Sequence, residues 1–292
     1  MTEASQSGTV PAEETTADLQ RELEAVQVWE RAQNDLWFWE KLGRLPYIML
    51  DRLTPKAMQK KLGQALDELG SYVQNGGRYL VSRQAVLAML GSTAREMGYE
   101  TANPASVAEA GELPLAVMDR AADKLADSRQ TFAALQGATT GVGGLLTLAV
   151  DIPALLGLSL KVLQEIAVCY GFDPGNPRER VFVVKCMQFS SSDIVGKHAV
   201  LEELAGFDAG SGGSRIASQL QGWREVIATY RDNFGWKKLF QLVPIAGILF
   251  GALINRGTVR DVAEAGKMLY RKRVILRRLQ LAQQAEAEPL SS

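Results

Sequence analysis

From Gln136 to Pro177 the chain reads QGATTGVGGLLTLAVDIPALLGLSLKVLQEIAVCYGFDPGNP, a Gly-rich apolar run whose first half carries a single charge, Asp151, two residues before Pro153. A run of this kind has to be hidden from water. An ionised carboxylate deep in an apolar layer is expensive unless it is hydrogen-bonded, paired or neutralised, so Asp151 is a helix cap, a buried polar anchor or a working group. Gly137, Gly141, Gly143 and Gly144 would each weaken an isolated helix by up to ~1 kcal/mol relative to Ala. Close helix–helix approach compensates, because Gly137 and Gly141 stand four apart and small residues let backbones meet on one face. Asp151 followed by Pro153 has the chemistry of an N-cap with Pro at the second helical position. The run is therefore expected to form a helical hairpin that bends near Val150 to Pro153.

The rest of the chain carries helical periodicity. Residues 1–17 are Ser/Thr/Glu-rich and are expected to be a disordered lead. From Asp18 onward Leu19, Leu23, Val26 and Trp29 recur at three- and four-residue spacing, continuing to Leu36, Trp37 and Trp39. Thr54-Pro55 resembles an N-cap and first helical position, and a further helix is expected around Ser82 to Met97. Gly98 to Gly111 is loop-like, and Pro114 opens the next helix. Phe172 to Pro177 is a dense turn signal before the short apolar helix RERVFVVKCMQF. Gly206 to Ser214 is a flexible loop inside one domain. A second apolar run, Leu239 to Asn255, echoes the first, and Thr258 with Asp261 three residues later resembles a cap opening a basic helix. No alternating partner strands appear. The expected fold is all-α, a multi-helix bundle around the Gly-rich apolar hairpin without significant β-sheet, with one domain over 18–280 and a polar tail over 281–292.

Composition narrows the function classes. Lys+Arg 32 against Asp+Glu 33 gives a net charge of -1, which offers no basic field for nucleic acid. The N-terminus has no basic region followed by an apolar core, so a cytoplasmic location is expected. Cys169 and Cys186 lie in helix-like apolar contexts without metal-ligand spacing and read as buried free thiols. A spanning helix needs about 20 apolar residues. Gly141 to Leu160 meets that only with Asp151 at its centre, and Leu239 to Asn255 is too short, so buried hairpin helices fit better than spans. Basic residues flank these runs: Lys237 and Lys238 before the second, and Arg256, Arg260, Arg271, Lys272 and Arg273 after it. They form a candidate basic surface for anionic lipid, or else a basic helix face that pairs with the acidic N-terminal helix.

Catalytic patterns are weak. His198 is the only histidine, and Ser190, Ser191, Ser192 and Asp193 nearby are ordinary capping chemistry rather than a triad, with no G-x-S-x-G context. No phosphate loop is present, because the glycine cluster lacks a preceding strand and a lysine. Asp151, Glu165, Asp173 and Glu179 could form a carboxylate group if the hairpin folds back, which would require a raised pKa or a bound metal. No cofactor is implied.

Several phrases together carry a resemblance: the Trp-rich VQVWERAQNDLWFW, then GATTGVGGLLTLAVDIPAL followed by YGFDP, and the late LVPIAGILFGALINRGTVRDVAEAGKMLYRKRVI. From about Leu23 to Arg273 the chain resembles the EcsC family, bacterial proteins named for the third member of an operon that also encodes an ABC transporter. The resemblance implies an all-helical fold with an apolar Gly-rich centre and no established enzymatic activity. The family's association with the envelope and transport implies a setting rather than a mechanism. Residues matching its most typical positions are Gly141, Gly144, Asp151, Pro153, Tyr170, Gly171, Asp173 and Pro174.

The expected function is that of a non-enzymatic helical protein at the cytoplasmic face of the bacterial membrane, working through protein or anionic-lipid contacts and linked to transport or secretion. Two alternatives stand beside it: an integral protein that inserts both apolar hairpins, and a carboxylate-based or metal-assisted hydrolase centred on Asp151. Gly-rich helix faces can pair within one chain or between two, which leaves a homo-oligomer open.

Overall fold

A computed structural model describes residues 14–33, 81–141, 145–192, 194–207 and 244–287, with the helical backbone alone at 141, 145–153, 194, 244–251 and 287. Eight α-helices and no strand occur among the described residues: α1 (Thr16–Ala32), α2 (Arg83–Glu96), α3 (Val107–Ala110), α4 (Leu115–Gly141), α5 (Leu145–Cys169), α6 (Pro177–Ser191), α7 (Ile194–Ala205) and α8 (Pro244–Ala287). The all-α expectation holds.

Local chemistry sets the helix ends. Thr15 caps α1 in a reciprocal box with Asp18, each side chain satisfying the other's backbone N–H. The cap and the first helical residues, Thr15 to Ala17, fall within the span expected as a lead. Ser82 caps α2 through the Ala85 N–H, and Asn176 caps α6 with Pro177 at its first position.

The architecture is built on α8, a helix of 44 residues that packs along α4, α5, α6 and α1. It runs antiparallel to α4, because Arg278 reaches the Leu113 carbonyl, Arg271 reaches Asp119, and Lys267 reaches Asp123. The helices α4 and α5 are also antiparallel, pinned by Arg129 to Glu165 and by Asp119 to Tyr170. Fully buried Met118, Leu155, Leu163, Tyr270, Val274 and Ile275 lie in the core between them. On α8, Gly266 leaves room for α5, since a Cβ there would stand 2.6 Å from the Leu163 side chain.

Two expectations are corrected. Asp151 is not an N-cap and the helix does not bend into a new one near Val150 to Pro153: α5 starts at Leu145 and runs unbroken through Asp151 and Pro153. A proline in a helix interior lacks one N–H but can be carried where packing outweighs the lost bond, and the Asp-Pro pattern alone could not distinguish that from a cap. Thr258 likewise opens no helix, because it lies inside α8 and its hydroxyl donates back to the Ile254 carbonyl at 2.9 Å. The second apolar run from Pro244 onward and the basic helix are therefore one element. Trp37, Trp39, Thr54-Pro55, residues 142–144 with the packing glycines Gly143 and Gly144, Asp193, 208–243 and 288–292 lie outside the described residues.

Candidate functional site

The YGFDP segment follows the C-terminus of α5. Gly171 has φ 77°, the N–H of Phe172 donates to the Ala167 carbonyl at 2.8 Å, and that of Gly171 donates to Val168 at 3.1 Å. This paired pattern stops a helix with a left-handed residue just past its end. A Cβ on Gly171 would collide with Cα of Gly111, so two backbones meet at this point. The glycine is required twice, by conformation and by contact.

Tyr170 is fully buried and donates its hydroxyl to Asp119 at 2.5 Å. The other Asp119 oxygen accepts from Arg271 at 3.0 Å, and Arg271 also donates to Glu22 of α1 at 2.5 Å. Burial, reinforced by the Asp119 charge, holds the phenol well above its ordinary range. Next along the chain, Asp173 accepts from the Gly175 N–H at 2.8 Å and pairs with Arg83 at 2.7 Å, while Pro174 is buried. The structure therefore brings Tyr170, Gly171, Asp173 and Pro174 together as a joint between α5, α6, α2 and the loop at Gly111. Gly141 ends α4, Asp151 and Pro153 lie on the α5 backbone far from this joint, and Gly144 is outside the described residues.

The expected carboxylate group does not assemble from its described members. Glu165, buried between α4 and α5, takes a two-pronged grip from Arg129, both bonds at 2.7 Å, with Lys161 at 3.3 Å. The Arg129 guanidinium is held above its ordinary value mainly by that hydrogen bonding. Glu179 receives a second fork from Arg273 at 2.7 and 2.9 Å. Arg273 is itself stacked against Phe172 and Phe182, 4.1 and 4.2 Å from their centroids. With Asp173 on Arg83, each carboxylate has its own arginine, and no group of three His, Cys, Asp or Glu suited to a metal occurs among the described residues. His198 is exposed beside Glu202, and the Ser190, Ser191 and Ser192 hydroxyls donate to backbone carbonyls of Met187 and Gln188. The two thiols, Cys169 and Cys186, are buried and free, with ionisation suppressed first by burial.

The candidate basic residues divide into two sets. Arg271, Lys272 and Arg273 are corrected from an open surface to internal ion pairs: Arg271 with Glu22 and Asp119, Lys272 with Glu30 at 2.7 Å, and Arg273 with Glu179. Their long side chains reach neighbouring helices before they reach solvent, because α8 is surrounded along this stretch. Arg256 and Arg260 are exposed, Arg260 lying 3.0 Å from the adjacent Asp261. Lys237 and Lys238 lie outside the described residues.

Sequence reasoning missed the other end of the bundle. The antiparallel register of α4 and α8, continued from Lys267 and Asp123, brings Leu253 level with the last turns of α4. There Phe132 is 56% exposed, Leu135 63% and Leu253 65%. The apolar sequences at 145–150 and 244–251 belong to helix ends at this same pole. Phe132 and Leu135 sit among the polar residues Gln130, Thr131 and Gln136 on a helix of otherwise ordinary composition. An exposed large side chain out of step with its helix's buried positions was the available signal, and the Gly-rich run beside it is the louder pattern. No described helix is long and apolar enough to cross a membrane.

Comparison with known proteins gives a match to the EcsC protein family over residues 20–275. Over 266 residues the chain is 52% identical to the uncharacterized protein YdbA of Bacillus subtilis (strain 168), covering 91% of this chain and 96% of that one. It is 28% identical over 163 residues to Protein EcsC of the same organism, covering 56% of this chain and 66% of the other. No solved structure matches. The family match spans the α1-to-α8 framework, including the YGFDP joint and most of α8, and the chain belongs to the EcsC protein family.

Proposed function

We propose that this EcsC-family protein acts without catalysis at the cytoplasmic face of the bacterial membrane, through contacts made by the apolar pole of its bundle. The observation that carries the reading is the convergence of exposed Phe132, Leu135 and Leu253 at one pole, with exposed Arg256 and Arg260 just beyond it on α8. Large apolar side chains grouped in this way favour a surface that removes them from water, and neighbouring arginines favour one that is anionic. Protein partners with the same character would meet the same groups. The link to transport or secretion rests on family resemblance.

Flotation with phosphatidylglycerol vesicles at low salt tests the reading. The protein should rise with the vesicles, and the double variant Phe132→Glu, Leu253→Glu should associate about a hundredfold less, given roughly 1.5 kcal/mol for each of the two large apolar side chains removed from water. Its thermal midpoint should stay near that of the parent, since both side chains are exposed in the free protein. A parent that stays at the bottom of the gradient removes lipid from the proposal.

A further inference from the structure

The helix α1 is acidic where it meets α8. Glu14, just before it, pairs with Arg278, Glu22 with Arg271, and Glu30 with Lys272, while the Trp29 indole donates to Glu264 at 2.7 Å. Most of these partners on α8 have a common direction. At 100° per residue Arg260, Lys267, Arg271 and Arg278 fall within about 40° of Leu253, with Arg256 beside them and Lys272 on the flank. Glu264 is on the same stripe and is the group that Trp29 engages. One stripe of α8 therefore begins at the exposed pole and continues under α1, where its cations are covered.

Coverage changes sharply along this stripe. The Arg260 side chain is 63% exposed and that of Arg271 12%, and Lys267 is held by Asp123 of α4. Of its apolar side chains α1 fully buries two, Leu19 and Val26, with Leu23 and Trp29 partly buried against the core. Three ion pairs add to that packing, and in the pair of Glu22 with Arg271 the carboxylate remains open to solvent. That pair is the one most open to competition and to screening by salt, whereas the Glu30 and Glu14 carboxylates are each only 14% exposed.

We propose that α1 is a built-in acidic strap over this basic stripe, and that an anionic lipid surface competes with it for Arg271 and Lys272 after first meeting Arg256 and Arg260. The inference deepens the membrane reading above and rests on it. Lipid phosphates would replace Glu22 and Glu30, extending the contact from the pole along α8. Asp119 keeps its own bond to Arg271 throughout.

The test compares three forms of the full chain in flotation with phosphatidylglycerol vesicles: the parent, E22Q/E30Q, and E100Q/E286Q. The last pair lies on exposed positions away from α1 and changes net charge by the same amount. E22Q/E30Q should bind more tightly by about fivefold for each cation uncovered, with E100Q/E286Q close to the parent. Adding Lys272→Gln to E22Q/E30Q should return part of the gain. Equal gains in the two charge-matched variants, or no gain in E22Q/E30Q, overturn the strap. If the parent floats and E22Q/E30Q adds nothing, the strap fails while the pole reading stands. If the parent stays at the bottom, the membrane reading falls and the strap that rests on it falls too.

Discussion

Tyr170 shows how a single side chain can couple the fold to solution conditions. Its phenol is buried on Asp119, and Cys169 and Cys186 are buried thiols, all three held in the protonated form chiefly by burial. The folded values therefore lie above the ordinary 9.0 of a thiol and 10.0 of a phenol. The sign follows directly. Below those ordinary values both states keep their protons and stability is fully present; above them the unfolded chain releases protons that the folded chain retains. Stability should fall as pH rises, beginning near pH 9 with the thiols and steepening past pH 10 with the tyrosine, by about 1.4 kcal/mol per pH unit for each group involved. Urea midpoints taken from neutral to alkaline pH read this out, and Tyr170→Phe should flatten the upper part of the decline. A profile unchanged by Tyr170→Phe would mean that the phenol ionises equally in both states. At this scale the sequence was partly legible: buried free thiols followed from their apolar neighbours, and the turn from Phe172-Asp173-Pro174-Gly175. The role of Gly171 was not, because its second constraint is the backbone of Gly111, distant in the chain and brought alongside only once α3 is placed.

Between elements, arginine–carboxylate forks do much of the positioning. Arg129 fixes α4 to α5 through Glu165, whose carboxylate is almost wholly removed from water. Replacing Arg129 with Met should leave that carboxylate with Lys161 alone and cost about 3 to 5 kcal/mol, whereas R129M/E165M should recover most of the loss, since a buried pair removed whole is often close to neutral. Chemical denaturation of the four forms of the cycle measures the coupling directly. Little coupling would mean that Lys161 and water suffice for Glu165. Helix existence was legible from periodicity, as α2 and α6 illustrate with their Ser82 and Asn176 caps. Helix continuity was not. Asp151 before Pro153 and Thr258 before Asp261 have the residue types of caps, yet both pairs sit inside long helices, because tertiary packing along α5 and α8 outweighs local preferences worth about 1 kcal/mol each. The pairing of Arg271 and Lys272 with α1 was foreseen only as one of two options, since helical spacing shows that a face is basic and cannot show what lies against it.

For the molecule as a whole, the apolar pole and the basic stripe make separable demands on a membrane. Attraction through Arg256 and Arg260 acts over roughly a Debye length, about 10 Å at 0.1 M salt, and weakens to about 3 Å at 1 M. Burial of Phe132, Leu135 and Leu253 is not screened in this way and is slightly favoured by excluded salts such as sulfate. A peripheral protein using both should lose most vesicle binding as sodium chloride rises and keep a salt-resistant remainder that disappears in the Phe132→Glu, Leu253→Glu variant. Binding through the stripe alone would fall to zero at high salt in the parent. Alkaline carbonate washing of membranes carrying the protein separates either case from insertion. On the peripheral reading the wash should release the chain; no described helix is long and apolar enough to span a bilayer, so retention through the described helices would require the apolar ends of α5 and α8 to enter the bilayer after leaving the bundle. That rearrangement would strip α8 of its contacts with α4 and break the Lys267–Asp123 pair at 2.7 Å. A bismaleimide bridge joining the two positions in K267C/D123C, closed before the protein meets the membrane, should therefore abolish any retention that depends on insertion and leave peripheral binding intact.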